Sequence, residues 1–342
     1  MHWTRVEAAG DGPGRRSSHA ACAVGDALYV YGGELEPRKP VDDVLYRLQG
    51  GEWAKVPGSD GVSPGPRIAA AMASVGSKIY LFGGRTGVEM SEGARDDLLV
   101  FDTAAPAPAW SVAPTPAGAP PPPARSYHAA AAAGGRVYIF GGCGAKGRLA
   151  DLWRYDPAAA AWAELPAAPA GVLPRGGASL VADASGGRLL VMGGFSGKEL
   201  GDAHTYDIAA GRWLCGDGGA EACGGCASPI PARSVFGAAV HACGGSEDGC
   251  GHGGHILLFG GEVDPSTQGH AGAGGFSSEV FCFETDGKGC HALQLSGGEG
   301  GAADAPCARG WFAAAAVGGR LMVHGGVDVA NARLGDAWQL EH

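Results

Sequence analysis

Along this chain, short runs of small apolar residues alternate with runs that are apolar at every position, and each pair of runs ends in two glycines. The stretch Arg125-Ser-Tyr-His-Ala-Ala-Ala-Ala-Ala-Gly-Gly-Arg-Val-Tyr-Ile-Phe-Gly-Gly142 shows the unit in full. It returns six times. Arg16 leads to Gly32-Gly33, Arg67 to Gly83-Gly84, Arg175 to Gly193-Gly194, Arg233 to Gly260-Gly261 and Arg309 to Gly325-Gly326. From each arginine to its second glycine the spacing is 17, 17, 17, 19, 28 and 17 residues, so only the fifth copy is stretched. Self-similarity of this kind is the mark of a repeat architecture.

Within each unit the pattern predicts strands. Ile79-Tyr-Leu-Phe82 and Val137-Tyr-Ile-Phe140 are continuously apolar, as a strand buried on both faces must be. Ala129 to Ala133 and Ala313 to Ala316 favour helix by propensity, yet each run is too short to hold a helix alone. Small side chains suit a strand crowded against its neighbours at a central axis, and Ala20 to Ala23 and Ala69 to Ala71 fit the same place. Past each doublet an acidic residue is expected to open a third strand: Asp43, Asp97, Asp151, Asp202, Glu279 and Asp336. Trp53, Trp110, Trp162 and Trp213 then mark a fourth. The sixth copy ends before its fourth strand, and Trp3 to Val6 at the other end of the chain can supply it. The expected fold is all-β, a six-bladed β-propeller over residues 1–342 whose last blade is closed by the N-terminal strand. A helical bundle is excluded.

Composition adjusts this picture in three places. Glycine (63) and proline (22) are abundant enough to suggest low complexity, but the glycines fall at fixed positions of the repeat and so read as turn residues. A formal charge of −10 argues against a nucleic-acid partner. No apolar run has the length of a membrane span or of a signal peptide, so a cytoplasmic protein with mostly reduced thiols is expected. One region breaks the rhythm. An insertion rich in Cys and Gly around 215–255 carries Cys215, Cys223, Cys226, His241, Cys243, Cys250, His252 and His255. Cys223 and Cys226 have the spacing of zinc ligands, but no second pair is cleanly spaced.

The strand order places residues entering the first strand and residues leaving the second at the same end of each blade. Arg16, Arg67, Arg125, Arg175, Arg233 and Arg309 would then surround one mouth of the central channel. Glu34, Arg85, Cys143, Phe195, Glu262 and Val327, which directly follow the doublets, would lie on the same face. Guanidiniums round a mouth make an anion site, because their planar fork matches sulfate or carboxylate oxygens. Two readings stand open for each repeated arginine: a ligand contact, or a structural bond to carbonyls and carboxylates of the blades. Arg85 has no counterpart in the other copies and is the strongest candidate for a ligand contact. Tyr127 and Trp311, just past their arginines, are candidate aromatic walls.

The doublet after an apolar strand, the acidic opener and the later Trp resemble the kelch repeat. The blades lack the Trp-Asp ending of WD40 repeats. Gly12-Pro-Gly-Arg-Arg-Ser-Ser-His19, Gly32-Gly-Glu-Leu35, Pro174-Arg-Gly-Gly177, Ala232-Arg-Ser-Val-Phe236, Gly260-Gly-Glu-Val-Asp-Pro-Ser266 and Ala308-Arg-Gly-Trp311 resemble, from end to end of the chain, the plant kelch proteins of the nitrile-specifier and epithiospecifier family. That resemblance implies a lyase-like, ferrous-iron-dependent activity on sulfated aglucones that myrosinase releases from glucosinolates, diverting them to nitriles. Arg85, Arg125, Arg175 and Arg309 would hold the sulfate, with Arg85 and Glu262 at the reacting end. The family's iron pattern, Glu-x3-Asp-x3-His, maps onto Glu262 and His270 but finds Ser266 in the middle, leaving Asp264 as the substitute carboxylate. Myrosinase would be a partner. The alternative is a non-catalytic propeller that binds a protein or a small anion on its loop face. A copper oxidase of the galactose-oxidase kind is a more distant reading, since the chain is too short for the extra domain.

Overall fold

The structure is a computed structural model that describes all residues except 59–60, 89–91, 117–119, 215–229, 242–253, 267–271, 273, 285–288, 296–304 and 342. Six blades, each built on four antiparallel strands, form a β-propeller, as the repeat predicts, and the two-residue strands Ala9–Gly10 and Arg309–Gly310 add to blades 1 and 6. Among the described residues no helix is long and apolar enough to cross a membrane. Blade 3 shows the plan: Ala129–Ala133 lies innermost, followed outward by Arg136–Gly144, Gly147–Asp156 and Ala161–Glu164. The innermost strands Ala20–Val24, Ala71–Val75, Ala129–Ala133, Ser179–Ala182, Gly237–His241 and Ala313–Val317 each contact the next, and the last contacts the first. Alanine and glycine allow six backbones to come this close round one axis.

The N-terminal strand completes the ring. His2–Arg5 runs antiparallel to Arg333–Glu341 as the outermost strand of blade 6, with Trp3 opposite Leu340 and Arg5 opposite Trp338. The core is divided among the blade interfaces rather than concentrated at the centre. Each of six clusters of buried side chains draws on two adjacent blades. The outer-strand tryptophans organise these interfaces. Trp110, Trp162 and Trp213 pack on Tyr31, Phe82 and Phe140, the residues before the doublets of the preceding blades, at ring-centroid distances of 5.7, 5.5 and 6.1 Å. Trp53 meets His324 at 5.3 Å and Trp3 meets Phe259 at 4.9 Å. Blade 5 has no tryptophan in its outer strand, Gly289–Ala292.

Glycine is required at the doublets for a steric reason. Gly32 has φ 69°, and a Cβ there would stand 2.4 Å from the Arg67 carbonyl oxygen of the next blade. Gly142 has φ 94°, and its Cβ would stand 2.7 Å from the Ser126 carbonyl oxygen of its own blade. Only glycine fits both the positive φ and the close approach.

Candidate functional site

The repeated arginines do reach the predicted end of each blade, but they turn inward. Arg16, Arg67, Arg125, Arg175, Arg233 and Arg309 are all buried. Each donates through Nη1 to the carbonyl of the first glycine of its own doublet, at 2.7 to 3.1 Å. Five also form a forked pair with the aspartate that opens the third strand: Asp42, Asp97, Asp151, Asp202 and Asp336. Each is therefore a latch that ties one blade's entry, doublet and third strand together. Arg125, Arg175 and Arg309 are thus corrected from ligand contacts to latches, because their donors are spent inside the blade. In blade 1 the latch partner is Asp42 rather than the expected Asp43, which instead accepts a hydrogen bond from Ser63 Oγ at 2.9 Å. Arg233 differs again. Its guanidinium lies 4.6 Å from the Phe281 ring centroid, and burial lowers its pKa.

Two closed rings of backbone hydrogen bonds define the mouth. The second residue after each arginine donates its N–H to the corresponding carbonyl of the preceding blade. Ser18 bonds to Trp311, Ala69 to Ser18, Tyr127 to Ala69, Gly177 to Tyr127, Val235 to Gly177 and Trp311 to Val235, at 2.8 to 3.0 Å. The second glycine of each doublet bonds in the same manner to the arginine carbonyl of the next blade, from Gly33 with Arg67 round to Gly326 with Arg16. The first ring holds every member in the left-handed region, with φ from 47° at Val235 to 63° at Gly177. For a β-branched valine that conformation is strained, and it persists only because the ring over-determines it. We call these six residues the collar.

A cavity of about 250 Å³ sits on the collar. Its walls are largely apolar: Tyr127 and Trp311 from the collar, Phe195, Val235, Pro265 and the Cys143 thiol. Arg38, Arg148, Ser234, Glu262 and Ser266 supply the polar groups. Tyr127 and Trp311 come from blades three apart in the ring of six and so face each other across the axis. Arg148 is exposed, and its guanidinium lies 4.7 Å from the Phe195 ring centroid. Burial pushes the Cys143 thiol upward in pKa, opposed by Arg148 and Arg85. Among the described residues Cys22, Cys143, Cys290 and Cys307 carry free thiols.

Arg85 does not stand on this wall. It is buried, its Nη1 donates to the Gly87 and Val88 carbonyls at 2.9 and 2.7 Å, and its guanidinium lies 5.8 Å from the Tyr127 ring centroid. It braces its own loop and backs Tyr127, so the expectation of direct ligand contact is revised. Tyr127 is deprotonated only with difficulty, because burial and the Glu34 carboxylate raise its pKa against the pull of Arg85. Glu34 accepts from Ser18 Oγ at 3.0 Å and lies 3.8 Å from Arg333 Nη2. The opposite side of the mouth is carboxylic. Burial pushes Glu262 up to about 7, with Asp264 adding to the rise and the Ser266 N–H opposing it. Burial likewise pushes Glu199 up to about 7, with Ser234 opposing and Glu262 adding. At neutral pH each carboxyl holds a proton part of the time.

Two of the three expected iron donors fall among the described residues. Glu262 faces the cavity and Asp264 is exposed, while His270 lies outside the described residues. Among the described residues no three His, Cys, Asp or Glu side chains converge as a metal site would need. Cys215, Cys223, Cys226, Cys243, Cys250 and His252 of the insertion also lie outside them. His241 Nδ1 is 3.0 Å from the Gly319 carbonyl oxygen, a contact between blades. His19 and His128, which recur in blades 1 and 3, are interface residues too: His19 Nε2 is 3.1 Å from His324 Nδ1, and His128 packs edge-on against Phe82. Sequence reasoning missed Arg38, Arg148 and Glu199. The signal that singled out Arg85, a charged residue in a post-doublet loop without counterparts in the other copies, applies to all three.

Comparison with known proteins agrees with this geometry. The chain is 28% identical to an N-(sulfonatooxy)prop-2-enimidothioate sulfolyase of Thlaspi arvense over 356 aligned residues, covering 97% of this chain and 94% of that protein. A Rab9 effector protein with kelch motifs from Bos taurus is 35% identical over 89 residues, a quarter of this chain (25%) and 24% of that protein. Host cell factor 2 of Homo sapiens is 29% identical over 213 residues, 56% of this chain and 26% of that protein. Residues 1–121 and 87–242 match the KLHDC2/KLHL20/DRC7 Kelch-repeats domain, and with six blades closed by the N-terminal strand the chain belongs to the kelch-repeat proteins.

Proposed function

We propose that the chain binds a small organic anion of the sulfated-aglucone type in the mouth cavity and directs its breakdown to a nitrile. The observation that carries this reading is the cavity itself, with aromatic and apolar walls, Arg38 and Arg148 at its edge and Glu262 within it. A sulfate ester on a short unsaturated chain, the kind of molecule named in the Thlaspi arvense relative, matches that division of surface. In this reading Arg148 and Arg38 hold the anion, Tyr127 and Trp311 enclose the apolar chain, and Glu262 carries or releases a proton beside it. Ferrous iron, implied by the family resemblance, would take Glu262, Asp264 and His270. No step is assigned to it, since His270 lies outside the described residues.

The test is to combine the purified protein with myrosinase and an allyl glucosinolate, with and without ferrous iron, and to measure nitrile against isothiocyanate. A rise in nitrile that depends on the protein is expected. Product ratios equal to those of myrosinase alone under both conditions would overturn the reading. A second reading rests on the same loop face, where Leu35, Val41, Val88, Val263 and Val329 are exposed. Apolar residues spread round a mouth suit a protein partner, and a protein inactive in the nitrile assay would leave that reading standing.

A further inference from the structure

Blade 4 leaves out the side chains that would fill the mouth. After the latch arginine, the six blades read Ser17-Ser18, Ile68-Ala69, Ser126-Tyr127, Gly176-Gly177, Ser234-Val235 and Gly310-Trp311. Only blade 4 has glycine at the collar position. Gly176 and Gly177 both line the cavity. A Cβ at Gly177 would stand 2.8 Å from Val235 Cγ1, and one at Gly176 would stand 3.0 Å from Cys143 Sγ. Blade 4 therefore contributes no side chain from these two positions to the cavity, which Tyr127 and Trp311 also line. Below it the collar encloses about 120 Å³, and a further space of about 170 Å³ follows among the innermost alanines. The charged groups sit at the other end, since Arg148 is exposed and Arg38 half-exposed.

We propose that Gly177 is a specificity-determining position: it admits an unbranched apolar tail to the collar while the anionic head stays outside at Arg148 and Arg38. The orientation rests on the anion reading above, whereas the gate depends only on the collar geometry. Tails branched near the head meet Tyr127 and Val235 and are refused. An alanine at 177 would close the gap, because its Cβ would stand 2.8 Å from Val235 Cγ1, inside van der Waals contact, and Val235 would have to shift. Ala69 holds the equivalent position in blade 2 at φ 54°, so the collar backbone accepts an alanine at some strain and the steric cost of the change falls on Val235.

The experiment is calorimetric titration with n-alkyl sulfates from methyl to octyl, and with the matching n-alkanols. Wild-type affinity is expected to rise about fourfold per methylene until the collar is filled. Gly177→Ala should bind methyl sulfate within twofold of wild type and octyl sulfate at least tenfold more weakly. Adding Val235→Ala should restore the long-chain gain, which general damage to the fold would not permit. Parallel length profiles in wild type and Gly177→Ala, or no gain with length in wild type, would overturn the gate. Alkanols that show the same length dependence with no advantage for sulfates would uphold the gate and sink the anion reading, so the two fail separately.

Discussion

Asp151→Asn tests the latches most directly. The substitution keeps the side-chain shape and removes the charge that faces Arg125, whose side chain is 0% exposed. Arg125 Nη1 and Nη2 reach the two carboxylate oxygens at 2.7 Å each, and Trp153 Nε1 donates to Oδ2 at 2.7 Å. Burial pushes the Asp151 carboxyl upward, but the bonds from Arg125 and Trp153 outweigh it and hold its pKa below the ordinary value. An asparagine would offer one acceptor and turn an NH₂ against a guanidinium. Removing one charge of a buried pair costs about 3–5 kcal/mol, because the other charge is left uncompensated. If the 342 residues unfold as one unit, this lowers Tm by about 4–7 °C. Urea denaturation and scanning calorimetry would both register it. Glu279→Gln supplies the control, since exposed Glu279 makes no forked pair with Arg233, which lies over Phe281 and feels that carboxylate only as a longer-range attraction. Its cost should stay below about 1 kcal/mol. Equal losses at the two sites, or a loss under about 1 kcal/mol at Asp151, would refute the latch.

Two further outcomes are expected. His324 and His128 are buried and held neutral, each with its pKa pushed down to about 3 by burial, aided by Arg16 and Arg125 respectively. The unfolded chain binds their protons below about pH 6.5 and the folded chain does not, so the stability they confer is complete above pH 6.5 and is lost as pH falls towards 3. Each should contribute about 1.4 kcal/mol per pH unit to the slope across that window, and His128→Phe should flatten the urea-measured slope by that amount; an unchanged slope would show that His128 does not titrate on unfolding. At the collar, Ala69→Gly relieves a left-handed alanine at φ 54° and should change stability by less than about 1 kcal/mol, in the stabilising direction. Ala131→Gly, in an innermost strand, should cost about 1 kcal/mol by equilibrium unfolding, and the same sign at both positions would contradict the strain assigned to the collar.

The repeat made the fold legible because every blade states the same requirements: small residues at the axis, apolar residues between blades, and glycine where backbones touch. Trp3 announced the closing strand for the same reason, since it occupies a tryptophan position the sixth copy lacks. The repeat places the arginines at the right end of each blade and leaves their direction open, because spacing locates a backbone and says nothing about which way a long side chain turns. Asp42 and Asp43 differ by one residue, and the strand period makes one face the latch and the other the solvent; adjacent aspartates hide that choice. A residue that appears six times serves what all six blades need, so the latch consumes it. What distinguishes one side of the mouth from another must come from positions where the blades differ. Arg38, Arg148, Phe195 and Glu199 lie in loops without internal counterparts, and Gly177 departs from the collar by having no side chain. In a closed repeat protein, function is therefore to be sought in departures from the repeat, and here the departures of blades 1, 3, 4 and 5 meet round a single cavity.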